Sequence, residues 1–329
     1  MRSCGCFVTV SDTNFESSDG VLAPFYAGSM PLPLESVPNF SEGRDAANLA
    51  ALEEAMSRPA RLLDVHADWD HHRSVFTLVG SVEELAETLA GGIARAVELI
   101  DLRRHEGAHP RVGAADVVPF VPLRPEHEPA ARRAAVALAE RVGSDLGLPV
   151  FFYGDLTEDG REPAFFRRGG PEGLQRRVDE GDLRPDRGPD RLHPTAGAVL
   201  VGVRRPLIAF NVNLRADDVE VARAIARLVR ERDGGFPGVR ALGLDLPSAG
   251  QAQVSMNVED WEASALHEIV ATIEREAAAR GVAVAGAELV GLMPAGAAAA
   301  AAGSILHIDG FDASRLLELR LLGVGDTPG

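Results

Sequence analysis

The segment Leu99–Pro122, LIDLRRHEGAHPRVGAADVVPFVP, runs from an apolar lead-in through a cationic, histidine-bearing loop into a valine-rich stretch ending in proline. Within it, His105-Glu106-Gly107-Ala108-His109 matches the pattern H-E-x-x-H letter for letter. That pattern binds zinc when both histidines share one face of a helix, with the glutamate poised as base. A helix here would make the chain a zinc hydrolase; a loop feeding a strand would make it part of an alternating α/β fold. Gly107 sits inside the motif, and Pro110 biases His109 away from the αR region towards extended geometry. The preceding helix is expected to end by Arg103 and the next strand to begin near Ala114. The extended zinc-protease signature also fails, since Val112 stands at its glycine position and no third histidine follows at the required spacing. The zinc hydrolase is kept only as an alternative, and no metal ligand is assigned.

The chain has 329 residues, 46% of them hydrophobic, enough for one large core or two moderate ones. Aromatic residues are 5%, so packing must rest on Leu, Val, Ile and Ala. A formal net charge of -16 argues against a nucleic-acid or membrane-surface binder, and an anionic ligand would need a local arginine pocket. All 33 basic residues are arginine, which excludes Schiff-base and P-loop lysines. Cys4 and Cys6 alone form neither a disulfide framework nor a four-ligand zinc site, which fits a reducing, cytoplasmic setting. No apolar run approaches the roughly 20 residues that span a bilayer. Residues 1–30 lack periodicity and the continuous apolar stretch of a signal peptide, and are expected to be a disordered extension, with Met30 as a candidate start.

On either side of the opening segment, periodicity and turn signals predict strands over Leu34–Phe40, Arg61–Val65, Arg73–Gly80, Ala114–Val121 and Pro149–Tyr153. Helices are predicted over Ala46–Met56, from Ser81 towards Ile100, and over Glu128–Leu146; Ser81 and Glu84 carry the capping-box signature. Further strands fall at Ala198–Val203, Ile208–Leu214, Val239–Leu246, Gln253–Val258 and Val282–Leu292. Helices over Val219–Arg232 and Glu262–Arg280 alternate with them, Asp260 being a candidate cap. The alanine-rich 295–302 reads as a helical cap.

The order β-α-β-β-α-β thus recurs over roughly 34–153 and 198–292. It predicts an α/β (α+β) protein of two ferredoxin-like βαββαβ subdomains with a ligand tunnel between them. Residues 154–197, rich in Gly, Pro, Asp and Arg, are too long for an ordinary connection and are expected to be functional or disordered. The expected division is an extension over 1–30, an N-terminal subdomain over 31–203 that includes the 154–197 loop, a C-terminal subdomain over 204–303, and a tail over 304–329.

Several polar groups are candidates for chemistry. His66, His71 and His72 surround Asp68 and Asp70; a solvated loop is expected there in preference to a metal site. His127, His267 and His307 stand alone and read as surface or core residues. The arginine-rich run Arg167–Arg187 is either a solvated loop or a clamp on carboxylates, for which the planar guanidinium suits bidentate pairing. Asn211 and Asn213 alternate along one strand and share a face, where their amides need protein or ligand partners.

Several stretches, taken in order, resemble glutamate formiminotransferases, the formiminotransferase domain family. They include Glu35-Ser-Val-Pro-Asn-Phe-Ser-Glu-Gly43, Leu62-Leu-Asp-Val65, Arg73-Ser-Val-Phe-Thr77 with Val79-Gly80, and Leu99-Ile-Asp101. His105-x-Gly-x-His-Pro-Arg-x-Gly-Ala-x-Asp116, Pro149-Val-Phe-Phe-Tyr-Gly154 and Ile208-Ala-Phe-Asn-Val-Asn-Leu214 continue the likeness. So do Ala252-Gln-Val-Ser-Met-Asn257 and Glu288-Leu-Val-Gly-Leu292, so that it spans about Leu34 to Leu292.

The resemblance implies a folate-dependent transferase that moves a formimino group between N-formimino-glutamate and tetrahydrofolate, as in histidine degradation. It implies a homodimer with tetrahydrofolate as co-substrate, and no counterpart of the cyclodeaminase half of the mammalian enzyme is expected in this chain. The family's catalytic histidine falls on His109. Its folate-contacting loop falls on Gly188, Pro189, Asp190, Arg191, Leu192, His193, Pro194, Thr195, Ala196 and Gly197. Asn39, Arg73, Arg111 and Asn211 are the further candidates for holding substrate. Two departures stand out: His66 replaces an acidic residue of the mammalian pattern, and the loop carries Asp190, Arg191 and His193 in place of small or aromatic residues. A neutral imidazole near its ordinary pKa of about 6.5 suits removal of a proton from an attacking amine and its return to the departing nitrogen. Formyl transfer at the same site and non-catalytic folate binding are the alternatives.

Overall fold

The computed structural model describes residues 34–317 and 319; the extension expected over 1–30 and the end of the expected tail lie outside them. The first half runs β1 (Leu34–Ser36), β2 (Asn39–Phe40), α1 (Ala46–Ala55), β3 (Arg61–Asp68), β4 (Arg73–Gly80), α2 (Val82–Leu99) and β5 (Ala115–Pro122). Then come α3 (Glu128–Asp145), β6 (Val150–Gly154), α4 (Pro163–Phe166), α5 (Gly170–Asp179) and β7 (Val199–Val203). The second half runs β8 (Ile208–Leu214), α6 (Val219–Val229), β9 (Val239–Leu246), β10 (Gln251–Val258), α7 (Leu266–Ala278), β11 (Val284–Val290) and α8 (Ala295–Leu306).

Local chemistry sets these boundaries. Ser81 Oγ accepts from the Glu84 amide at 3.2 Å while Glu84 Oε2 accepts from the Ser81 amide at 2.9 Å, which closes the capping box that starts α2. Leu85, Leu89, Ile93 and Ala96 follow at helical spacing and are fully buried. Pro38, which has no amide hydrogen, separates β1 from β2, yet both pieces lie between β4 and β5. Asp260 caps a turn, accepting from the Ala263 amide at 2.9 Å; α7 begins later, after Ala265.

The chain builds two α/β subdomains. One contains a seven-stranded sheet with β3 on one flank and β6 on the other, in which β5, β7 and β6 are mutually parallel and the remaining pairs antiparallel. Helices α1, α2 and α3 cover one face, burying Phe40, Phe76 and Phe120; Phe40 and Phe76 meet edge to face at 5.5 Å. The other is a four-stranded antiparallel sheet ordered β11-β8-β10-β9, with α6 and α7 on one face. By strand number within its own β-α-β-β-α-β unit that order is 4-1-3-2. The strand expected to open the second repeat, β7, instead belongs to the first sheet, paired with β5 and β6. It is the last strand of an α-β-α-α-β extension of the first sheet, and the second unit begins at β8.

Residues 154–197 are ordered, contrary to one of the two expectations for them. Phe166, Leu174, Val178 and Leu183 bury against Val117, Phe151, Tyr153 and Leu200, so α4 and α5 cover part of the sheet face opposite α1–α3. Sparse apolar residues at the right spacing suffice here because each meets a ready-made sheet surface. The stretch Gly188–Gly197 is fastened by backbone bonds: the Leu102 amide donates to Thr195 O and the Ala114 amide to Ala196 O, both at 2.8 Å. His193 and Gly197 exchange two bonds of 2.9 Å. Gly113 makes this approach possible, since a Cβ there would stand 1.9 Å from Ala198 O and 2.7 Å from Ala115 O. Gly113→Ala is therefore expected to destabilise the protein by about 1–3 kcal/mol or more, read as a lowered urea midpoint at unchanged slope.

Candidate active site

The face of the first sheet that α4 and α5 leave partly uncovered and the helix-free face of the second enclose a cavity of about 720 Å³. Glu35, Val37 and Asn39 from β1–β2 and Arg73, Val75 and Thr77 from β4 line it on one side; Ala209, Asn211, Ser255 and Asn257 line it on the other. This is the size of a site for a drug-sized ligand. Glu35 is in register with Val79 and Val121, Asn39 with Val75 and Val117, so the cavity extends about 13 Å along these central strands.

The Asn39 end holds His109. The H-E-x-x-H residues form no helix: a single 3-10 turn ends at Arg104, and His105 is already extended. His109 Nδ1 lies 2.8 Å from Pro110 O and 2.9 Å from Arg73 Nη1. One nitrogen cannot donate to the first and accept from the second. Pro110 O can only accept, and it makes the shorter of the two contacts, so we assign the tautomer that donates Nδ1–H to Pro110 O and leaves the Nε2 lone pair free, with Arg73 Nη1 donating to Asp116 Oδ2 at 3.1 Å. Burial, then the charges of Arg73 and Arg167, hold His109 well below the usual imidazole range and not near it as expected from sequence, so the ring is neutral and a weaker base than a free imidazole.

Asp116 is fully buried behind it. Its Oδ1 accepts from the Val112 amide at 2.7 Å and its Oδ2 from Arg167 Nη2 at 2.6 Å as well as from Arg73. Burial pushes this carboxyl up, and Arg167 and Arg73 outweigh it, leaving Asp116 ionised. Arg73 Nε donates to Asn39 Oδ1 at 2.8 Å; burial pulls the Arg73 guanidinium down to about 9, still protonated at neutral pH.

Arg111 does not line the cavity. It ties two loops together, donating to His109 O at 3.0 Å through Nε and to His71 O at 3.1 Å through Nη2, and contacting His105 Nδ1. His105 stacks on His72 at 3.8 Å, and burial followed by the Arg111 charge drops His105 to about 3. The expected solvated loop at His66–His72 is corrected accordingly: His71 is 7% exposed, and His66, Asp68 and His71 stand in the cavity wall. His71 and His109 have ring centres 6.0 Å apart. Among the described residues, no group of three or more His, Cys, Asp or Glu side chains could hold a metal ion.

Across the cavity, His66 Nε2 lies 3.3 Å from Glu288 Oε1, and Asn211 Nδ2 donates to Glu288 Oε2 at 3.2 Å. At the far end Arg240 bridges Glu162 and Glu259 at 3.1 and 2.7 Å. Burial raises the carboxyls of Glu35 and Glu162, and the buried Tyr153 hydroxyl has no partner.

Of the residues proposed from sequence, Asn39, Arg73, His109 and Asn211 meet on this cavity; Arg111 sits behind it, and none of Gly188–Gly197 lines it. From sequence, His71 stood out only within the histidine-aspartate cluster and Arg167 only within the run weighed as a carboxylate clamp, while Asp116 and Glu288 had no role. Asp116 lies within the motif that contains His109, Arg167 heads the arginine-rich run, and Glu288 opens one of the stretches that carry the family likeness, so each carried a faint signal.

Asp116→Asn is expected to cost about 3–5 kcal/mol in urea unfolding, because it leaves two guanidiniums without their carboxylate. His66 is raised by the Glu288 carboxylate, against burial, from 6.5; its contribution to stability is full below that value and is lost as pH rises through the raised one. Glu288 is lowered by His66 from 4.5, and its contribution is lost as pH falls through the depressed value. Thermal melts of wild type and His66→Gln should therefore differ most, by about 0.2–1 kcal/mol, between about pH 4.5 and 6.5, and converge in alkali.

Comparison with known proteins matches residues 33–204 to the formiminotransferase domain, N-terminal subdomain, and residues 209–310 to the formiminotransferase domain. A glutamate formimidoyltransferase of Streptococcus pyogenes serotype M1 is 41% identical over 295 residues, covering 88% of this chain and 99% of that protein. One from Thermoplasma acidophilum is 36% identical over 294 residues, covering 88% and 97%. The formimidoyltransferase-cyclodeaminase of Sus scrofa is 38% identical over 272 residues, covering 79% of this chain and 50% of its own length.

Proposed function

This chain belongs to the formiminotransferase domain family, a family of transferases, and from that membership we propose that it moves a formimino group between N-formimino-glutamate and tetrahydrofolate. The observation that carries the proposal is His109: a neutral imidazole with Nδ1–H held by Pro110 O, in the wall of a cavity large enough for a folate. His109 Nε2 takes the proton from the attacking nitrogen and returns it to the departing one. Both nitrogens are bonded to the carbon in transit, so one imidazole reaches both. The bond to Pro110 O fixes the ring, so no reorientation is needed between the two steps.

The cavity suits tetrahydrofolate in chemistry as well as in size. Val37, Val75, Val117, Ala209 and Val290 give an apolar middle for a flat ring system. The raised carboxyl of Glu35 supplies an unspent hydrogen-bonding group for the polar edge of a heterocycle. Gly188–Gly197 enters this reading as a brace: its backbone holds Leu102 and Ala114, and the His105–His109 segment runs between them. The family expectation of a cytoplasmic homodimer goes with the same reading.

The test offers 5-formimino- and 5-formyl-tetrahydrofolate as donors to glutamate and other amino acids. Formimino transfer to glutamate is expected; preference for the formyl donor would point to the related reaction, and binding without turnover to a folate-binding protein. His109→Gln should lower kcat about 10²–10⁴-fold while tetrahydrofolate affinity and melting temperature stay near wild type. Turnover within tenfold of wild type would place the base elsewhere.

A further inference from the structure

We propose that Arg167, acting with Arg73, anchors the α-carboxylate of the amino-acid substrate beside His109. The proposal rests on the formimino-transfer reading and adds the subsite that selects an α-amino acid.

The charges around Asp116 do not balance. Among the described residues Asp116 is the one carboxylate in ion-pair contact with Arg73 or Arg167, so two cavity-lining guanidiniums share a single negative charge. Arg111 adds a third cation close behind, near enough to lower Arg73. Positive charge in excess, held 11–13% exposed in a chain of net charge -16, calls for an anion from outside.

Arg167 also has capacity to spare. Its Nη2 donates to Asp116, while its Nη1 makes no hydrogen bond among the described residues and is not enclosed as its Nε is. A planar guanidinium already oriented by Asp116 is suited to hold a carboxylate at low entropic cost. Position decides which carboxylate. Arg73 Nη1 is 2.9 Å from the His109 ring, so the anchor adjoins the base. In glutamate the α-carboxylate carbon is two bonds from the reacting nitrogen and the side-chain carboxylate carbon is four, so the α group is the one that reaches the anchor while the nitrogen faces His109. A carboxylate seated there also offsets the arginine repulsion that depresses His109, strengthening the base once substrate is bound.

The experiment compares wild type, Arg167→Gln and Arg167→Lys in the full chain, with N-formimino-glutamate and its α-carboxamide analogue at saturating tetrahydrofolate. Arg167→Gln should raise KM for N-formimino-glutamate about 10–100-fold with KM for tetrahydrofolate within about twofold, and should no longer distinguish the carboxylate from the amide. Arg167→Lys keeps a cation against Asp116 and so guards against misfolding; it should melt near wild type and show an intermediate KM. Undiminished discrimination in Arg167→Gln, or a fall in kcat at unchanged KM, overturns the proposal and leaves Arg167 as support for Asp116. Wild-type turnover tests the transfer reading separately. Should wild type turn nothing over, calorimetric binding of glutamate to wild type but not to Arg167→Gln still supports the subsite, and equal binding rejects it.

Discussion

A fully buried carboxylate, Asp116, fastens the His109 end of the cavity from three directions. Its Oδ1 takes the Val112 amide and so fixes the backbone between Arg111 and β5; its Oδ2 takes Arg73 from β4 and Arg167 from the end of α4. A lone carboxylate at that depth would cost several kcal/mol, and burial alone would drive it towards the neutral acid. The two guanidiniums reverse that and are themselves tolerated only because Asp116 is there. The same contacts bring Arg73 against His109 and draw the 163–167 segment over the cavity, so the packing of one ionised side chain determines the position and protonation of another.

The fold was largely legible because its signals are local. The capping box at Ser81, the period-2 patterning of Arg73–Gly80 and Ile208–Leu214, and glycine or proline at strand ends do not need the rest of the chain to be interpreted. Strand partnership is not local. Val199–Val203 is apolar throughout and suits any sheet interior; only its parallel pairing with β5 and β6 assigns it to the first sheet. Residues 154–197 failed for a related reason, since Phe166 and Leu174 bury against a surface assembled from strands far away in sequence.

In the site, His109 was legible because Gly107 and Pro110 rule out the helix that the zinc pattern needs, and because its neighbours carry a family likeness. Arg111 was read as a substrate contact from proximity in sequence, but its hydrogen bonds all go to loop carbonyls and a neighbouring histidine. Arg167, 51 positions from Asp116, was one arginine among several in a polar stretch until the fold set it against that carboxylate. His66 and His71 looked solvated because a histidine-aspartate loop usually is. The opposing sheet, which contributes Glu288, encloses them.

Apart from its histidines, every basic side chain around the cavity is a guanidinium: Arg73, Arg167, Arg204, Arg230, Arg232 and Arg240. Guanidinium stays protonated and delocalised at neutral pH, so it attracts anions yet offers no lone pair. A lysine in the same place would attract the same ligands and, whenever it lost its proton, present a primary amine to an electrophilic one-carbon group. Such an amine would become a dead-end acceptor and amidinate the protein in its own cavity. An all-arginine wall gives electrostatic attraction without nucleophilicity, leaving the substrate's own nitrogen as the amine that competes for the carbon.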